Sequence, residues 1–149
     1  MTDMYLSVSL EAKHDFVTDA VTRRLGVEPT QIRKLGTPMQ PGHDALYKYS
    51  SWEWDTGHIS ADDAGSLIAQ AAAMFQSRAA AMRKLADECC GTWAIVLDGY
   101  IHSGDAPVVL LPPDFVEFCA AIGAIFQYVI DISYDYSSEG GADRGTAEN

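Results

Sequence analysis

A chain of 149 residues with 48% hydrophobic content is sized for one domain with a substantial core. Its formal charge of −11, from 21 acids and 10 bases, excludes a protein that wraps phosphate backbones, which needs Lys and Arg in number. Leu85 onward holds eleven acids against one base, Arg144, whereas Met1–Lys84 holds ten against nine, so a one-sided electrostatic surface is expected.

Met4–Leu10 alternates, with Leu6, Val8 and Leu10 to one side and Tyr5, Ser7 and Ser9 to the other, as in a half-buried strand. From His14 to Leu25 the period lengthens. Phe16, Val17, Ala20, Val21 and Leu25 form a helical stripe, and Gly26 is placed to end the helix in the left-handed conformation. Thr30–Ala45, with Gly36, Pro38, Pro41 and Gly42, reads as a long loop. Leu46–Asp55 alternates again, setting Trp52 and Trp54 on one face and Tyr47, Tyr49, Ser51, Glu53 and Asp55 on the other.

Ser60, with Asp63 at capping-box spacing, predicts the start of a helix that runs to Gly91, about 42 Å at 1.5 Å per residue. Thr92–Ile101 is a strongly apolar strand, and Ser103-Gly104-Asp105 reads as a hairpin turn into a short strand over Pro107–Leu111. Pro112-Pro113-Asp114 opens a helix that Gly123 ends, and Ile125–Tyr136 alternates as the last strand. The order β-α-β-α-β-β-α-β predicts a single α+β domain over residues 1–136. Its sheet is mostly antiparallel and one long helix lies at its centre. Residues 137–149 are Gly-rich and acidic and read as a disordered tail.

The chemistry-bearing motifs have structural readings. Asp55-Thr56-Gly57 matches the aspartic-protease triplet, but that triplet belongs to an all-β fold, and here it reads as a strand-to-helix turn. Asp55, His58, Asp62 and Asp63 read as a polar loop and helix cap rather than metal ligands. Cys89, Cys90 and Cys119 are an odd set without metal spacing and sit away from helix N-termini, where a thiol would be activated. No catalytic residue, metal or cofactor is expected. No secretory signal is visible and no apolar stretch is long enough to span a bilayer, so a cytoplasmic location is expected.

Two functional readings follow. In the first, the chain is a non-enzymatic interaction protein whose acidic strands, through Asp98, Asp131 and Asp135, engage a basic protein partner. An immunity protein that neutralises a basic toxin is one such role. In the second, Tyr49, Trp52, Trp54 and His58 line an aromatic pocket for a small ligand or an uncharacterised reaction.

Several blocks carry a resemblance. They are Leu25-Gly26-Val27-Glu28-Pro29-Thr30, Tyr49-Ser50-Ser51-Trp52-Glu53, the long helix, Leu111-Pro112-Pro113-Asp114-Phe115-Val116, Ile122-Gly123-Ala124 and Asp131-Ile132-Ser133-Tyr134. In that order they resemble the bacterial domain-of-unknown-function family 4279, from Met4 to about Tyr136. The resemblance implies a small α+β domain in a bacterial cytoplasm and brings no catalytic residues with it.

Overall fold

The computed structural model describes residues 2–102 and 104–132. Six strands, β1 (Thr2–Ala12), β2 (Gln31–Arg33), β3 (Ser50–Asp55), β4 (Ile59–Ala61), β5 (Thr92–Ile101) and β6 (Ile125–Ile132), form one sheet. Its order is β2-β3-β1-β5-β6, with β4 also on β1, and every pairing is antiparallel except β5 with β6. Helices α1 (Thr18–Leu25), α2 (Gly65–Phe75), α3 (Ala79–Cys89) and α4 (Pro113–Ala121) complete the expected α+β architecture.

β1 is the axis of the sheet. On one side it pairs with β5 along nearly its whole length. On the other, β3 covers Ser7–Ala12 and β4 covers Thr2–Met4. Alternation along β1 points Met4, Leu6, Val8 and Leu10 into the core. The registers set Leu10 beside Trp52 and Trp93, Val8 beside Trp54 and Ile95, and Leu6 beside Leu97. Val21, Leu25, Leu67, Ile68, Phe75, Met82, Phe115 and Phe118 descend from the helices onto this face, so the helices cover one side of the sheet.

Local signals explain the helix ends. Gly26 has φ 67° and its N–H bonds back to the Thr22 carbonyl, the left-handed stop expected after Leu25. Pro113 begins α4, where its missing N–H costs nothing. Gly91 is required by close approach, since a Cβ there would lie 2.8 Å from the Glu11 carbonyl oxygen.

Several boundaries differ from those expected. Within the segment read as a loop, Gln31–Arg33 pairs with β3, and backbone bonds from Met39 to Ala45 and between Thr37 and Tyr47 hold the remainder. The aromatic strand starts at Ser50 rather than Leu46. Ser60 does not cap a helix. It lies in β4, which fills the edge of β1 that β3 leaves empty, and the helix starts at Gly65, whose N–H donates to Asp63 Oδ1 at 2.8 Å.

The long helix is interrupted by a 3-10 turn at Gln76–Arg78. There the Arg78 guanidinium donates to the Met74 carbonyl and, at 2.7 Å, to that of Leu25, tying the break to the end of α1. The strand expected at Pro107–Leu111 is reduced to a bridge between Val108 and Asp63. The edge of β5 that a hairpin would have used is taken by β6 in parallel, with α4 as the crossover. Ser103, the end of the last strand beyond Ile132 and the tail over 137–149 lie outside the described residues.

Candidate functional site

Among the described residues, no helix covers the face of the sheet opposite α1–α4, hence the open face. Strand alternation and register assign Asp3, Tyr5, Ser7, Ser9 and Glu11 of β1 to it, with Ser51, Glu53 and Asp55 of β3. Ala94, Val96, Asp98 and Tyr100 of β5 and Gln127, Val129 and Asp131 of β6 continue it. Every acid in the six strands, namely Asp3, Glu11, Glu53, Asp55, Asp98 and Asp131, is on this face. Arg33 is the only lysine or arginine in any of them, and its Nη1 lies 3.6 Å from Glu53. The helical segments, by contrast, balance five acids (Asp19, Asp87, Glu88, Asp114, Glu117) with five bases (Arg23, Arg24, Arg78, Arg83, Lys84). Within the strands and helices, charge is therefore segregated between layers. Of the C-terminal acids, Asp87 and Glu88 sit on α3, paired with Arg83 and Arg24.

At one end of the open face is a cavity of about 300 Å³ lined by Asp3, Tyr5, His58, Asp98, Tyr100 and Asp131, with His102 at its rim. Two rows build it. Asp3, Tyr100 and Asp131 lie abreast on β1, β5 and β6; Tyr5, Asp98 and Val129 form the next row. The His58 ring packs at a tilt of 48° against Tyr5, with centroids 4.6 Å apart, and the His102 ring packs against Tyr100 at 4.7 Å. His102 Nε2 is 2.8 Å from Asp3 Oδ2. That hydrogen bond holds the Asp3 carboxyl below its usual range against the opposing effect of partial burial. Burial, with the Asp98 carboxylate next to its hydroxyl, pushes Tyr5 up to about 12.

Elsewhere on the face, burial pushes Glu53 up; Arg33 opposes this, and repulsion from Asp55 adds to it. A carboxyl whose folded-state pKa exceeds its unfolded value holds its proton more tightly when folded, so it weakens folding as pH rises above its ordinary 4.5. Glu53→Gln is therefore expected to be more stable than the parent at about pH 7 and indistinguishable from it at about pH 4. Urea midpoints at the two pH values check this; a variant weaker at pH 7 would mean that the Arg33 pair outweighs burial.

The sequence-derived candidates are dispersed by the fold. Asp98 and Asp131 lie on the open face in the same cavity as His58; Asp135 is outside the described residues. The aromatic pocket does not assemble. Trp52 is 0% exposed, with edge-to-face contacts to Phe75 and Trp93. Trp54 is half-buried on the same core face against Phe75. Tyr49 lies beyond the other end of β3 from His58 and packs on Tyr47. The reason is the direction of the pleat: the tryptophan face of β3 is the face the helices cover.

Asp55-Thr56-Gly57 is a turn between β3 and β4, with Asp55 Oδ1 accepting from the Gly57 N–H at 2.8 Å and Gly57 at φ 73°. Cys89 and Cys119 are half-buried, and burial pushes both thiols up, the opposite of what a nucleophile needs. Among the described residues no three His, Cys, Asp or Glu side chains converge to hold a metal ion, and no helix is long and apolar enough to cross a membrane. Asp3, Tyr5 and Tyr100 carry no sequence signal beyond outward alternation on β1 and β5, and the strand register is what brings them together.

The model of the family described as Domain of unknown function (DUF4279) matches residues 2–133, and the chain belongs to that family. No curated protein and no solved structure matches it.

Proposed function

We propose that this member of the family is a non-enzymatic interaction protein whose open, acidic sheet face engages a basic protein partner. One observation supports the reading above the others: six strand carboxylates share, with one arginine, the face that no described helix covers, while the helical layer is balanced. A face of one sign raises the local concentration of an oppositely charged partner and speeds its docking. Ser7, Ser9 and Ser51, in the middle of the face, are small and buried, so the accessible carboxylates lie around them. A bacterial cytoplasmic setting is part of the proposal, and an immunity protein that masks a basic toxin is one role of this kind.

The test is titration of isotope-labelled protein with a lysine homopeptide, followed by amide shifts. Shifts are expected along β1, β5 and β6 at low salt and are expected to fade by about 0.5 M salt. Shifts on the helical layer instead, or shifts on the sheet that salt leaves unchanged, would rule the reading out.

A further inference from the structure

The cavity on the open face has a chemistry more specific than negative charge. Tyr100 is 42% exposed, a large aromatic ring left uncovered on a sheet. Three carboxylates surround it. Asp3 and Asp131 are its direct neighbours on β1 and β6, and Asp98 precedes it by two residues on β5. Neighbouring strands are about 4.8 Å apart and residues i and i+2 about 6.8 Å, so all three acids come within reach of a group lying on the ring. His102 packs against the Tyr100 ring and forms a hydrogen bond with Asp3, which leaves Asp98 and Asp131 as the carboxylates free of ion pairs among the described residues. Tyr5, packed against His58, forms the far wall.

An aromatic face bordered by carboxylates is complementary to a flat cation with in-plane donors. A guanidinium stacks on the ring while its N–H groups reach carboxylates at the sides, in bidentate geometry where two oxygens are available. An ammonium is a compact, strongly hydrated charge that pairs with one carboxylate and leaves the ring unused. A metal ion is a poor fit, because the acids are spread around the ring rather than converging on a point.

We propose that Tyr100, bordered by Asp3, Asp98 and Asp131, is the seat for an arginine side chain of the basic partner. The inference rests on the acidic-face reading and adds the identity of the recognised group.

Two seven-residue peptides separate the two ideas, one alternating glycine with arginine and the other alternating glycine with lysine. Both are titrated into the labelled full chain at low salt. The arginine peptide is expected to bind about tenfold tighter, with the largest shifts at Asp98 and Tyr100. Tyr100→Leu, at an exposed position, is expected to keep the parent spectrum elsewhere and to bring the arginine peptide down to the lysine level. Equal binding of both peptides to the sheet face would overturn the arginine seat and leave the acidic face standing. An arginine preference that survives Tyr100→Leu would also overturn the seat. If neither peptide moves a sheet-face amide, both proposals fall.

Discussion

Trp52→Ala is expected to cost the domain about 3–5 kcal/mol, the usual range for emptying a large aromatic site in a core. The ring has no exposed surface. It meets Phe75 and Trp93 edge-to-face, with centroids at 6.4 and 6.1 Å, and its Nε1 donates to Thr22 Oγ1 at 3.0 Å. The one side chain therefore joins β3 to α1, to α2 and, through Trp93, to the central strands. Trp93 in turn donates from Nε1 to the Met82 carbonyl of α3 at 2.7 Å, so a cavity at Trp52 loosens a second anchored ring. Against a total stability of about 5–15 kcal/mol this is a large fraction, equivalent to a fall of about 10 °C or more in Tm. Trp52→Phe is expected to recover most of the loss, short of the indole hydrogen bond, worth about 1 kcal/mol. Urea and thermal melts of the three proteins decide the matter. A loss below about 1 kcal/mol for the alanine variant is incompatible with a ring at the centre of the core.

The double variant Asp98→Asn, Asp131→Asn is expected to fold as the parent does and to associate with a lysine homopeptide about tenfold more slowly at low salt. Both residues are on the open face, and neither is in an ion pair among the described residues. Their exchange therefore removes charge without breaking an ion pair, and stability is expected to change by no more than about 0.5 kcal/mol. Stopped-flow association at several salt concentrations is the measurement, and the two proteins' rates are expected to converge as salt screens the face. An internal control comes with it. Asp98 is one of the causes that hold the Tyr5 phenol at about 12, so an ultraviolet titration of the variant is expected to show that phenol ionising at lower pH. Equal association rates in the two proteins at low salt would remove Asp98 and Asp131 from any encounter surface.

Much of the architecture could be read from residue order, because its main strands alternate cleanly and its helix stops are chemically plain. Gly26 and the Pro112-Pro113 pair mark real helix boundaries. The short elements could not be read in this way. Gln31–Arg33 and Ile59–Ala61 are three residues each, too brief to show a period, and they exist because β3 and β1 offer vacant edges. Ser60 carries genuine capping chemistry that tertiary pairing of Ile59–Ala61 overrode, whereas Asp63 still accepts from the Gly65 N–H at the helix start. For the site, alternation showed correctly that Trp52 and Glu53 point opposite ways, but alternation cannot say which way is inward. The helices chose the tryptophan side. Asp98 was legible as an outward acid; that it sits abreast of Tyr5, with Asp3, Tyr100 and Asp131 forming the next row, depends on the register of three strands far apart in the chain.

The central place of β1 has a consequence for synthesis. Its apolar side chains are made about eighty residues ahead of β5, the partner that covers one whole edge. At ribosomal speeds of about 5–20 residues per second, that edge stays unpaired for roughly 4–16 s in each nascent chain. Only β3 and β4 emerge soon enough to shield the other edge, and the last strand, β6, cannot dock until β5 is in place. The sheet is therefore expected to close in stages, with the β5 edge of β1 waiting the longest.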